Sequence, residues 1–234
     1  RNFFYRIIGD NTFSFEGGTA ASGCTFSETA AFGDYDRDGW LDLYVTNSTN
    51  FTTNTDAIKR NQLWHNTKDG KFERITTGEW VRDANISRSV QWVDYDQDGD
   101  TDLWIANEEN EPNYLYENEE GTFTKRTDVG LNNLNRSSTG SSWGDVDNDG
   151  DLDLFVANFS NQRNQLFINK GSEGFQEDFS SALREPSCSF GSAFADFDND
   201  GDLDLFVANG FCDGALQNFL YQNDGKGNFT KDES

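Results

Sequence analysis

Four stretches of the chain concentrate side chains suited to holding a hard cation. Each reads D-x-D-x-D-G-x-x-D and runs at once into an apolar segment, as in "WGDVDNDGDLDLFVAN" from Trp143. The acidic sets are Asp34, Asp36, Asp38 and Asp42; Asp94, Asp96, Asp98 and Asp102; Asp145, Asp147, Asp149 and Asp153; and Asp196, Asp198, Asp200 and Asp204. Side chains at positions 1, 3 and 5 converge when a chain curls around an ion, and glycine at position 6 permits the turn. Position 7 offers its carbonyl and position 9 closes the shell. Position 7 is Trp40, Asp100, Asp151 and Asp202 in turn, expected to lend a main-chain oxygen only, since an indole is no anionic ligand.

An all-oxygen donor set favours Ca²⁺, whose coordination of about six to eight tolerates a cage made wholly of protein. Mg²⁺ holds more tightly to its water, and zinc or copper would want His or Cys. The one histidine, His65, and the three cysteines stand outside the loops. About four Ca²⁺ ions per chain are therefore expected. No glutamate stands at position 12, and strands rather than helices should flank each loop, so these are not EF-hands. Ordinary Asp-Gly turns in an acidic chain are the competing reading, and four copies in identical register count against it. Without metal, crowded carboxylates would destabilise each loop by on the order of several kcal/mol, so ion binding should be coupled to folding.

The elements that position these loops repeat with them. The first aspartates, Asp34, Asp94, Asp145 and Asp196, are spaced by 60, 51 and 51 residues. A second motif follows each loop: "NQLWHN" from Asn61, "NYLYEN" from Asn113, "NQLFIN" from Asn164 and "NFLYQN" from Asn218. Each unit reads as four short strands. "LDLFVAN" puts Leu152, Leu154 and Val156 on one face and Phe155 and Ala157 on the other, so both faces are apolar, as in a sheet covered on both sides. Repeated four-stranded units that cannot bury their faces alone point to an all-β fold, a β-propeller. The expected blades are 21–75, 76–127, 128–179 and 180–234, with 1–20 as the outer half of another. That makes four full blades and a half, read as one propeller over 1–234. The chain starts at Arg1 without methionine or a signal-peptide pattern, as a processed or excised piece would. A piece of a larger propeller, a chain completed by a partner, and a closed four-blade ring with a spare hairpin are the alternatives.

Composition narrows the partners. The chain carries 42 acidic against 18 basic residues, a net charge of -24, which disfavours nucleic acid and anionic lipid as partners. Its 15% aromatic content argues against disorder, and no apolar run is long enough to insert in a membrane. Sequons at Asn47, Asn50, Asn85, Asn135, Asn158 and Asn228 suit a secreted glycoprotein.

The run "DVDNDGDLDLFVAN" followed by "NQLFIN" resembles the FG-GAP/VCBS repeat of integrin α-subunit heads and secreted bacterial proteins. In style it is similar to the ASPIC/UnbV repeats of cartilage-acidic-protein propellers. The resemblance implies a propeller of seven or eight blades with calcium in the hairpin between the first two strands of each. It leaves activity open, since adhesion receptors, lectins and domains of polysaccharide-degrading enzymes share the repeat.

With ions at one end of the blades, recognition should lie at the other, where the repeats differ. From Asp42 to Asn61 is 19 residues, against 11, 11 and 14 in the later units. Cys188 lies eight residues before Asp196 and Cys212 eight after Asp204, so an antiparallel hairpin should join them in a disulfide, leaving Cys24 over. A disulfide suits an extracellular setting. Trp80, Arg88, Arg136 and Arg184 fall between units and are read first as packing or solvated residues, and second as contacts to a sugar or acidic group. His65 is read as a strand residue rather than a base, and no catalytic constellation is visible. The expectation is a non-enzymatic, extracellular binding or adhesion module for protein or carbohydrate. A polysaccharide-degrading enzyme, or an assembly subunit self-associating through the half blade, is the alternative.

Overall fold

The structure is a computed structural model, and it describes residues 4–7, 9, 12–15, 26–49, 55–131, 135–179, 182–212 and 217–233. Cys24 and Asn50 lie outside them. A short hairpin pairs β1 (Tyr5–Ile7) with β2 (Phe13–Phe15). Four antiparallel four-stranded sheets follow. The first holds β3 (Phe26–Gly33), β4 (Asp42–Ser48), β5 (Gln62–Asn66) and β6 (Phe72–Ile75). The second holds β7 (Ser87–Val93), β8 (Asp102–Asn107), β9 (Tyr114–Glu119) and β10 (Thr122–Arg126). In the third, β11 (Ser138–Gly144) and β12 (Asp153–Asn158) precede a two-residue strand outside the sheet, β13 (Gln162–Arg163), and then β14 (Gln165–Asn169) and β15 (Phe175–Glu177). Strand β16 (Pro186–Ser187) pairs with β13, and the fourth sheet holds β17 (Ser189–Ala195), β18 (Asp204–Asn209), β19 (Phe219–Asn223) and β20 (Phe229–Lys231).

Within each sheet the strands lie side by side in chain order, and each Asp-rich loop is the turn from the first strand to the second. The second strands of the first three sheets are buried along both faces, and the core consequently lies between consecutive sheets. Tyr44, Leu103, Ile105 and Tyr116 fill the boundary of the first and second sheets. Trp104, Leu154, Val156 and Phe167 fill the next, and Phe155, Ala157, Leu205 and Val207 the third. The alternation read from "LDLFVAN" is therefore realised: Leu154 and Val156 face backward along the stack, Phe155 and Ala157 forward. The sheets approach closely enough that a Cβ on Gly33 would lie 2.6 Å from the Trp92 indole of the second sheet. Burying about 25 cal/mol per Å² of apolar surface at three such boundaries makes the stack cooperative between neighbours, as in other repeat proteins.

The first strand of every sheet carries a register shift near its start, at Ser27/Ala30, Ser87/Ser89, Ser138/Gly140 and Ser189/Gly191. The serines before the last three shifts, Ser87, Ser138 and Ser189, are buried at the end of the sheet remote from the Asp loops, and Ser27 is half-buried.

Two features depart from the sequence reading. A single helical turn, Asp56–Lys59, sits in the long insertion of the first unit, too short to leave a helical period in the sequence. The β13–β16 ribbon ties the third sheet to the segment entering the fourth. The β1–β2 hairpin is present as expected and touches the first sheet through Phe4 against Phe72, ring centroids 5.5 Å apart, and Arg6 donating to the Gly70 carbonyl at 3.4 Å. Among the described residues, no helix is long and apolar enough to cross a membrane.

Candidate metal centre

Each loop is shaped by its own aspartates before any ion is considered. The position-1 carboxylate caps the turn: Asp145 accepts from the Asp149 and Gly150 amides at 3.1 and 3.0 Å, and Asp34 and Asp196 repeat the pattern. Position 6 holds a left-handed backbone in all four loops, φ 85 at Gly39, 91 at Gly99, 97 at Gly150 and 101 at Gly201, which only glycine adopts at little cost. The position-9 aspartate is buried and staples the loop to the third strand. Asp153 accepts from the Val146 and Asn169 amides, both at 2.8 Å, and Asp42, Asp102 and Asp204 do the same with their counterparts.

This curl brings positions 1, 3 and 9 together in every loop. Oxygens of Asp34, Asp36 and Asp42 lie within 4.8 Å of one another, and so do those of Asp94, Asp96 and Asp102, of Asp145, Asp147 and Asp153, and of Asp196, Asp198 and Asp204. The position-5 aspartates are not members of those triads, although Asp38 falls within 4.8 Å of Asp36 and His65, and each accepts from the position-7 amide at 2.7–3.0 Å, as Asp98 does from Asp100. Burial, and then neighbouring carboxylates, push Asp42 up to about 6 and Asp102 and Asp153 up to about 7. Asp36 Oδ1, Asp94 Oδ1 and Asp147 Oδ1 are buried with no hydrogen-bond donor. An orphaned buried carboxylate oxygen is costly unless a cation satisfies it, so the donor sets fit metal ions.

Several features were not legible in the motif. Position 4, a variable residue, reaches the following loop in each pair. Arg37 donates to the Gly99 carbonyl at 3.1 Å and pairs with Asp100 at 2.7 Å. Gln97 donates to the Gly150 carbonyl at 2.5 Å and to Asp151 at 3.2 Å, and Asn148 to Asp202 at 2.9 Å. The position-7 side chains thus join adjacent loops. Trp40, in the first loop, is instead half exposed. Lys68 lies 3.0 Å from Asp38 and Lys170 lies 2.9 Å from Asp147. His65, from β5, stands beside Asp36 and Asp42. Its place beside the first loop comes from strand pairing that the sequence spacing does not display.

The second motif supplies two more staples. Its last asparagine binds backward: Asn118 Nδ2 donates to the Tyr35 carbonyl of the preceding loop at 2.7 Å, and Asn223 to that of Val146 at 2.8 Å. Its first asparagine binds forward at the other end of the sheet. Asn61 donates to Ser87 Oγ, Asn113 to Ser138 and Asn164 to Ser189, at 2.9–3.0 Å. Each serine in turn donates to the asparagine ending the second strand, Asn107, Asn158 or Asn209, at 2.7–2.8 Å. The first asparagine also satisfies strand-end backbone, since Asn164 Oδ1 accepts the Asn158 amide at 2.8 Å.

At that same end Cys188 and Cys212 form the expected disulfide, with Cα atoms 5.9 Å apart. Three of the four residues read between the units are held by packing or pairing. Trp80 lies against Phe123, Arg88 bridges Glu28 and Glu108, and Arg184 lies over the Phe179 ring beside Glu177. Arg136 is half-buried.

The FG-GAP-like repeat model matches residues 1–45, 51–105, 94–156 and 145–207. No curated protein matches the chain. Among solved structures, the chain is similar to a lectin from Agrocybe aegerita described by its specific recognition of non-reducing terminal N-acetylglucosamine. That likeness has a TM-score of 0.46 and 17% identity over 97% of this chain and 72% of that one. With repeat matches running through most of its length, the chain belongs to the FG-GAP-like repeat family.

Proposed function

We propose that each Asp loop binds one Ca²⁺ and that the chain is a calcium-stabilised β-propeller segment. It serves as an extracellular binding module for a protein or carbohydrate, not as an enzyme. The observation that carries this reading is the fourfold convergence of positions 1, 3 and 9, with buried oxygens left without donors in three of the loops. Aspartates at positions 1, 3, 5 and 9 and the carbonyl at position 7 would hold the ion, which supplies the charge that offsets carboxylate repulsion. Binding would then lock the turn between the first two strands of each sheet. The disulfide supports an oxidising compartment.

The stack is read as part of a propeller with further blades. Phe206 and Phe197 of the fourth sheet are 43% and 42% exposed, whereas their counterparts Phe155 and Val146 are fully buried against the next sheet. A further blade, from the same polypeptide or from an associating chain, would cover that face. The recognition surface is assigned to the end opposite the loops, where rigid strand ends carry connections of unequal length.

Isothermal titration of Ca²⁺ into chelator-treated protein should give about four ions per chain, with a higher melting temperature on loading. An unchanged melting temperature after chelation overturns the calcium reading. A glycan array and partner pull-downs, paired with a turnover assay on uronate polymers, test the rest: turnover without binding overturns the binding-module assignment. Size in solution with and without calcium tests self-association.

A further inference from the structure

The first loop differs from its counterparts in one donor. His65 is the fifth residue of "NQLWHN", and the same position in the later units is Glu117, Ile168 and Gln222. Its Nδ1 lies 3.2 Å from Asp42 Oδ1 and 3.4 Å from Asp36 Oδ2. That nitrogen is buried and makes no hydrogen bond, and the same holds for Asp36 Oδ1 beside it. Tyr35 packs edge-on against the imidazole, ring centroids 6.2 Å apart. One donor atom each from Asp36, Asp38 and His65 falls within 4.8 Å, sharing Asp36 with the Asp34, Asp36 and Asp42 triad.

A ring nitrogen held against two carboxylate oxygens needs positive charge between them. A proton on Nδ1 would supply it through a hydrogen bond, and neither approach has that geometry. Two donors each about 2.0–2.1 Å from one ion, at the tetrahedral angle, stand about 3.3 Å apart, which is the spacing around Nδ1. We infer that the first loop is a mixed nitrogen–oxygen site for a borderline divalent ion of the zinc class, with His65 Nδ1, Asp36 and Asp42 as donors. Imidazole suits such ions, while calcium takes oxygen. Among the four loops, the first alone has an imidazole nitrogen against its carboxylates, since Glu117, Ile168 and Gln222 stand at the corresponding positions. The inference rests on the reading of the loops as cation sites: offered calcium alone all four loops fill, and offered both ions the first loop takes the zinc-class ion while the other three keep calcium.

The test uses the full chain in millimolar Ca²⁺, titrated with Co²⁺ and followed by visible absorption, then by displacement with Zn²⁺. Losing a metal's outer-shell partner alone typically costs about 10–100-fold in affinity, so His65→Gln should weaken cobalt binding by at least about tenfold. Gln222 occupies the same position in the fourth unit, so the fold accommodates glutamine there. The expected result is one Co²⁺ per wild-type chain, displaced by zinc but not by calcium, weakened in H65Q with calcium uptake by the other loops intact. No cobalt uptake by the wild type, equal uptake in H65Q, or cobalt spread evenly over four loops overturns the inference. Absence of calcium uptake by both proteins overturns the calcium reading instead and leaves the cobalt result to decide the first loop.

Discussion

Asn113 Nδ2 donates to Ser138 Oγ at 2.9 Å across the boundary between the second and third sheets, and both side chains are buried. Because Ser138 Oγ in turn donates a hydrogen bond to Asn158 Oδ1, one missing hydroxyl strands two amide groups. Ser138→Ala should lower unfolding free energy by about 1–3 kcal/mol, the usual cost of an unsatisfied buried polar group. Asn113→Ala should cost a similar amount, and the double variant less than the sum. Chemical denaturation in saturating calcium measures all three.

Gln97 reaches the third loop from the second, with a left-handed backbone at φ 59 that glycine adopts freely. Gln97→Gly therefore removes the bridge without disturbing the turn. Calcium stoichiometry should stay the same while the dependence of one loop's affinity on its neighbour's occupancy falls by about 1 kcal/mol, roughly fivefold. Calcium titrations of the single-loop variants Asp96→Asn and Asp147→Asn, with and without Gln97→Gly, read out the coupling.

Asp42, Asp102 and Asp153 sit at about 6 to 7 against an ordinary value of 3.8. A raised folded value means the proton binds more tightly when folded, so these groups contribute stability that is complete below about pH 4 and lost as pH rises through 6 to 7. Calcium bound as proposed would reverse the trend, because it needs the ionised carboxylates. Chelated protein should melt higher at pH 5 than at pH 7.5, and calcium-loaded protein the opposite. Melting curves at the two pH values, with and without chelator, decide it.

Two of the six sequons are built into the ladder. Asn47 Nδ2 donates to the Arg60 carbonyl at 2.6 Å and Asn158 Nδ2 to that of Arg163 at 2.8 Å, and both asparagines are buried. A glycan on either nitrogen is incompatible with the fold. Protein secreted from a glycosylating host should carry none at these two sites, while exposed Asn135 remains open to modification. Glycopeptide mass spectrometry reads this directly.

The convergence of positions 1, 3 and 9 was legible because the turn that brings them together depends on strict spacing in one stretch of chain. The stacking of sheets was legible too, since Phe155 and Leu154 announce two apolar faces. The contacts between units were not. Arg37, Gln97 and Asn148 share a task but no residue type, so no consensus marks them. Ser138 reads as an ordinary strand residue until its neighbour sheet is in place, and His65 meets Asp42 only through the pairing of β4 with β5. The asparagines of the second motif recur visibly in the sequence, but that their amides face the next unit shows only once the sheets are stacked.

The asparagine–serine ladder bears on how such proteins grow. Each repeat carries a donor for the unit after it and an acceptor for the unit before it, as Asn113 and Ser87 do within the second sheet. A gene duplication that copies one repeat therefore copies both halves of a working joint, and the new unit fits between its parents with no compensating substitution. A substitution on one side of a joint, by contrast, leaves its partner's polar group unsatisfied.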